Sequence, residues 1–132
     1  MADAVHFELV SPERLVLSAE VGMVVVPGAE GDFGVLPGHA PMISNVRPGV
    51  VSIYNDRAIE SRVFVAGGFA EVSDNRLTVL TEDAVALDEI NRAGADARLA
   101  EAREAIGDAS DDRARADAEK QLAIAEALVV AV

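Results

Sequence analysis

Residues 27 to 41 read PGAEGDFGVLPGHAP, four glycines and three prolines in fifteen positions, with Asp32, Phe33 and His39 held among them. Glycine permits positive φ or close backbone approach, whereas proline fixes φ and withholds an N–H. A segment dense in both has its path set residue by residue, which predicts a shaped docking loop more than a catalytic one. A loop of that kind requires a rigid body to carry it.

The remainder of the first 86 residues supplies such a body. Val5, Phe7 and Leu9 alternate with His6 and Glu8, the period-two pattern of a half-buried strand. Short β-branched runs recur at Leu15 to Leu17, Val21 to Val26, Val50 to Tyr54, Val63 to Val65, Phe69 to Val72 and Leu77 to Leu80. Ser11-Pro12, Pro48-Gly49, Asn55-Asp56, Gly67-Gly68 and Ser73-Asp74-Asn75 divide them as turns. Many short strands without a helical crossover indicate two packed antiparallel sheets or a barrel.

After about residue 86 the composition turns to alanine, glutamate, aspartate and arginine, which favours helix. Ala95, Leu99, Ala102 and Ile106 recur at helical steps, and Ala118, Leu122, Ala125 and Val129 repeat them. Gly107 fits a C-terminal cap, and Ser110 followed by Asp111 and Asp112 fits the start of the next helix. The chain is therefore expected to be α+β, mainly β: an N-terminal antiparallel β-sandwich over residues 1–86 and a C-terminal antiparallel two-helix hairpin over residues 87–132. The alanine-rich stripes let the helices approach closely but bury little area, so the hairpin is expected to be only marginally held in one position.

Composition removes several function classes. The chain has 132 residues, 51% of them apolar, enough for one compact domain with an appendage. It has no cysteine, which excludes disulfides, thiolate metal sites and cysteine nucleophiles. The net charge of −12 repels phosphate backbones and anionic headgroups, so nucleic-acid binding is not expected. No apolar run approaches the roughly 18 residues of a membrane span, and the N-terminus does not read as a signal peptide; a soluble, intracellular protein without membrane insertion is the expectation.

Catalytic motifs fare poorly. Asp32-Phe33-Gly34 spells the kinase magnesium triplet, without the lysine-bearing strand or catalytic loop that give it meaning. Gly28, Gly31 and Gly34 are followed by no Lys-Ser/Thr pair. His6 and His39 are the only histidines, with no carboxylate at metal-ligand spacing, and no serine lies in a glycine-flanked elbow. Glu82-Asp83 and Asp111-Asp112 read as charges at helix starts. No catalytic residue, metal site or cofactor is assigned.

PGAEGDFGVLPGHAP, then Val46-Arg47-Pro48-Gly49-Val50, then Val65 to Val72 and Leu77 to Leu80, in that order and spacing, resemble the epsilon-subunit family of F-type proton-translocating ATP synthases. The resemblance is close over about the first 85 residues and extends through the hairpin in length and composition. It implies a ten-stranded β-sandwich with two helices at the foot of the rotating central stalk. One face of the sandwich would bind the gamma subunit, and its lower end would meet the polar loops of the c-ring through Glu30, Asp32, His39, Pro41 and Met42. The role implied is non-catalytic: coupling proton translocation to ATP synthesis from ADP and phosphate, on the cytoplasmic face of a bacterial inner membrane. In relatives the hairpin can extend toward the alpha/beta hexamer and brake hydrolysis, although the region from Ser110 to Val132, with three basic and five acidic residues, is poorly suited to an acidic partner segment.

ATP-binding relatives carry an aliphatic-Asp-x-x-Arg-Ala string where the first helix starts. Here Leu87 to Ala93 reads LDEINRA, with one extra residue between Asp88 and Arg92, which turns the pair apart by about 100° on a helix. Asp88 then fits an N-cap and Arg92 its i+4 partner, and weak or absent ATP binding is expected. Two other readings remain open: a free-standing β-sandwich binding module with a helical tail, and a small enzyme using His39 with Asp32.

Overall fold

The computed structural model describes residues 4–132. Eight strands come first: β1 (Val5–Ser11), β2 (Arg14–Val21), β3 (Met23–Gly28), β4 (Gly31–Val35), β5 (Met42–Asn55), β6 (Ala58–Ser73), β7 (Arg76–Leu80) and β8 (Ala84–Ala86). A 3-10 turn over Leu87–Glu89 leads to α1 (Arg92–Asp108) and α2 (Asp112–Ala131). The strands hydrogen-bond in the order β2-β1-β7-β6-β5-β3-β4, with β8 added to β6. Every pair is antiparallel except β1 with β7, which run parallel.

Two long strands make this one ladder into two layers. β5 has 14 residues and β6 has 16, and they pair with each other along almost their whole length. The first part of β5 and the last part of β6 lie with β7, β1 and β2; the last part of β5 and the first part of β6 lie with β3, β4 and β8. Counting each long strand once per layer gives five strands in each, the ten of the expected sandwich. Val5, Phe7, Leu9, Ala70, Val72, Leu77 and Val79 of one layer meet Val24, Val26, Val35, Val51, Ile53, Val63 and Val65 of the other in a single buried cluster.

Pro48-Gly49 and Gly67-Gly68 are therefore bends inside β5 and β6 and not turns between separate strands. They face one another across the ladder, Pro48 opposite Ala66 and Val46 opposite Gly68, so both strands turn the corner together. Gly67 and Gly68 hold φ of 100° and 138°, values that L side chains rarely adopt. A Cβ on Gly68 would lie 1.8 Å from the carbonyl oxygen of Leu80. The tight turns are at Asp56-Arg57, one residue later than expected, and at Asp74-Asn75; both residues of each have positive φ, as two-residue hairpins require.

The segment from 27 to 41 is less a loop than expected. Pro27 and Gly28 end β3, Ala29 and Glu30 form its turn, Gly31 to Val35 form β4, and residues 36 to 41 make the connection to β5. Gly22 likewise splits the run from Val21 to Val26 into two strands that belong to different layers.

Both helices start one or more residues from their expected caps. Asn91, not Asp88, caps α1, its side chain accepting from the Gly94 N–H at 2.7 Å. Asp111, not Ser110, caps α2, accepting from the Ala114 N–H at 2.7 Å. Gly107 lies inside α1, which ends at Asp108 with Ala109 as C-cap. Glu82 and Asp83 lie between β7 and β8, where Glu82 receives Lys120 Nζ at 3.1 Å and the Asp83 carbonyl accepts from Ala66 N–H and Thr81 Oγ1.

The hairpin is folded down on the sandwich. Ile124 and Leu128 of α2 enter a second cluster with Phe64, Leu87 and Ala95, flanked by Val50, Ala66 and Ile90. Phe64 lies between Val63 and Val65 and so faces away from the inter-layer core; α2 covers it. Between the helices, Ala95 and Ala102 are buried on α1 and Ala118 and Ala125 on α2, as the step pattern predicted.

Candidate functional site

Three surfaces carry the residues with something to offer a partner. The first is the β3–β4 hairpin, at the edge of its layer. Glu30 occupies its tip and is exposed, and Asp32 is opposite Pro27. Arg47, at the bend of β5, braces the hairpin: Nη1 donates to the Gly28 carbonyl at 2.5 Å and Nη2 to Asp32 Oδ1 at 2.6 Å. Both charged side chains are about half exposed or more, so the pair contributes typically under ~1 kcal/mol; its value is positional.

The second surface is the connection from Leu36 to Pro41. It is tied to the β6–β7 turn by the Gly38 N–H, which donates to Asn75 Oδ1 at 2.6 Å, and it closes on itself through His39 N–H to the Leu36 carbonyl at 3.1 Å. His39 Nδ1 lies 2.7 Å from the Ala40 carbonyl, Pro41 is exposed, and Met42 packs against the inter-layer core. From Gly31 to Val35, β4 spans about 13 Å. Glu30 and Asp32 are thus gathered at one end of β4 around Arg47, and His39, Pro41 and Met42 follow its other end.

The third surface was missed by sequence reasoning. Phe69 pairs with Leu80, Leu80 with Val10 and Val10 with Leu15, a straight cross-strand row over β6, β7, β1 and β2. Asn45 on β5 extends it. Phe69, Leu80 and Leu15 are 57%, 51% and 52% exposed, and Ile43 beside them is 74% exposed. Nothing among the described residues covers this face. The signal was present as an apolar residue on the wrong phase: Ala70, Val72, Leu77 and Val79 point inward, so Phe69 and Leu80 must point out. Further along the same face the surface is polar. His6 Nδ1 lies 2.6 Å from Glu20 and its Nε2 3.5 Å from Glu8, and Glu8 also receives Arg76. His6 therefore has the carboxylate neighbours that its sequence spacing did not suggest.

Asp88 and Arg92 do not share a helix. Asp88 is in the 3-10 turn, whereas Arg92 opens α1 and pairs with Asp96 at 3.5 Å.

The beta-sandwich domain of the ATP synthase delta/epsilon chain matches residues 4–87. Over its full length the chain is 53% identical to the ATP synthase epsilon chain of Paramagnetospirillum magneticum, covering 99% of that protein. It is 50% identical to the ATP synthase epsilon chain of Rhodospirillum rubrum, over 99% of this chain and 98% of that one. Among solved structures, a chain of the Euglena gracilis mitochondrial ATP synthase assembly of OSCP, F1 and c-ring superposes with a TM-score of 0.82 at 26% identity, over 98% of this chain and 82% of its own. A chain of the Tetrahymena thermophila mitochondrial central stalk and c-ring has the same fold, with a TM-score of 0.68 at 14% identity over 96% and 94%. By fold, by sequence along its whole length and by the domain it carries, the chain belongs to the ATP synthase delta/epsilon chain family.

Proposed function

We propose that this chain works as the epsilon subunit of a rotary ATP synthase, a non-catalytic part of the central stalk whose partners are other subunits of the same enzyme. The observation that carries the reading is the uncovered row from Leu15 through Val10 and Leu80 to Phe69. A contiguous apolar strip with a polar border of Glu8, Glu20, Glu71 and Arg76 has the composition of a protein interface: an apolar centre and a solvated rim. This is the face we assign to the gamma subunit.

The β4 edge and the connection after it are assigned to the c-ring loops, with Glu30, Asp32, His39, Pro41 and Met42 as contacts. Their backbone supports are internal, through Arg47 and Asn75, so a partner meets a shape that is already formed. Residues 1–86 are the docking unit in this reading, and residues 87–132 are a regulatory unit that reaches the alpha/beta hexamer only transiently. The small alanine seam supports that mobility. No helix among the described residues is long and apolar enough to cross a membrane, and the curated relatives are bacterial; we place the chain peripherally on the cytoplasmic face of a bacterial inner membrane. The separation of Asp88 from Arg92 supports weak or absent ATP binding.

Replacing Phe69→Glu and Leu80→Glu together tests the assignment. Both side chains are exposed, so the isolated variant should keep its circular dichroism and melting profile. Loss of two central apolar contacts should weaken association with gamma by about thirtyfold or more, and the variant should no longer co-purify with gamma, alpha and beta. Undiminished co-purification would remove the face from the proposal, and a wild-type chain that isolates alone would remove the subunit reading itself.

A further inference from the structure

A groove of about 510 Å³ separates the last turns of α2 from the edge of the sandwich. One wall holds Glu126, Ala127, Val130 and Ala131 of α2; the other holds Asp32, Arg47, Pro27 and Pro48. The movable element and the ring-facing edge therefore share one space. Extending the reading above, we propose that docking of α2 stiffens the β3–β4 hairpin through Arg47, so that the position of the helical hairpin is felt at the surface assigned to the ring.

The route is short. Arg47 holds Gly28 and Asp32 together, one contact on each strand of the hairpin. Arg47 lines the same groove as Glu126, and three residues along β5 Val50 packs against the cluster in which α2 is seated, so the docked helix restrains the strand that carries Arg47. Undocking removes Glu126 and the apolar wall together. Val50 and the bend of β5 are then released on that side, and the tip at Ala29 and Glu30 loses part of its restraint. The packing next to Arg47 is close, since a Cβ on Gly49 would lie 3.0 Å from Pro27, so the corner has little slack to absorb the change.

Amide hydrogen exchange on the isolated full chain reads this without assembling the enzyme, so its outcome is separable from that of the subunit assignment. Leu128→Asp places a charge in the α2 seat and undocks the helix. Exchange across residues 26 to 35 should then rise by about threefold or more, while β1 and β7 stay protected. Arg47→Ala should raise it similarly, and the double variant should be no faster than Arg47→Ala alone, because the path is already cut. Glu126→Gln, which leaves the apolar seat intact, should produce a smaller rise without exposing Phe64 to Ala66. Unchanged exchange at 26 to 35 in the Leu128→Asp chain, or fully additive effects in the double variant, would overturn the coupling.

Discussion

Gly68 shows how much a single position can decide. Its φ of 138° and the 1.8 Å approach of a hypothetical Cβ to the Leu80 carbonyl leave no room for a side chain. Gly68→Ala should cost about 3 kcal/mol or more, from backbone strain and a forced shift of β7, and should lower the melting temperature by about 10 °C or more. An unchanged melt would mean that the corner relaxes freely. Sequence alone marked Gly67-Gly68 as special and misassigned the reason, because a turn and a bend within a strand demand the same φ. The caps were misread for a related cause. Asp88, Asn91, Ser110 and Asp111 are all good capping types, and which one caps depends, for α1, on where the chain leaves the sandwich and, for α2, on how the connection between the helices closes, tertiary facts absent from local spacing. His39 and Asp32 were legible as residues with unusual settings, but Arg47, which holds Asp32, reads in sequence as one more surface arginine.

At the scale of elements, period-two and helical patterning revealed nearly every strand run and both helical stripes. They failed where an element was short or rich in glycine: β4 was read as loop and β8 went unnoticed. Gly31, Asp32 and Gly34 have low β propensity, and β4 holds its conformation through pairing with β3. The alanine seam of the hairpin was also legible, but its seat on the sandwich was not. That seat needed Phe64, whose outward phase has meaning only once α2 is above it. Ile124→Ala should loosen the seat by about 2 kcal/mol. Limited proteolysis should then cut within residues 87 to 132 several times faster while the sandwich core resists; equal cutting rates would deny Ile124 its anchoring role.

For the whole molecule, we assign two faces to different neighbours. The apolar row lies on the outer side of one layer, and the Asp32 edge belongs to the other layer. Asp32→Lys with His39→Ala should leave the isolated fold intact, since both side chains are at the surface, yet lower proton-driven ATP synthesis in reconstituted vesicles by roughly tenfold if they meet the ring. Unimpaired synthesis would count against that edge. Charge and composition only removed classes of partner at the outset, nucleic acid and anionic headgroups among them; gamma and the c-ring entered through the resemblance.

The passage of β5 and β6 through both layers has a mechanical consequence. In a sandwich joined only by surface loops, a load applied to one sheet would cross to the other through side-chain contacts, which can slide. Here two continuous backbones cross the corner side by side, and force entering at Phe69 passes along the covalent backbone of β6 to Ala66, opposite Pro48 in the other strand. To shear the layers past each other, the chain would have to stretch these two tie rods.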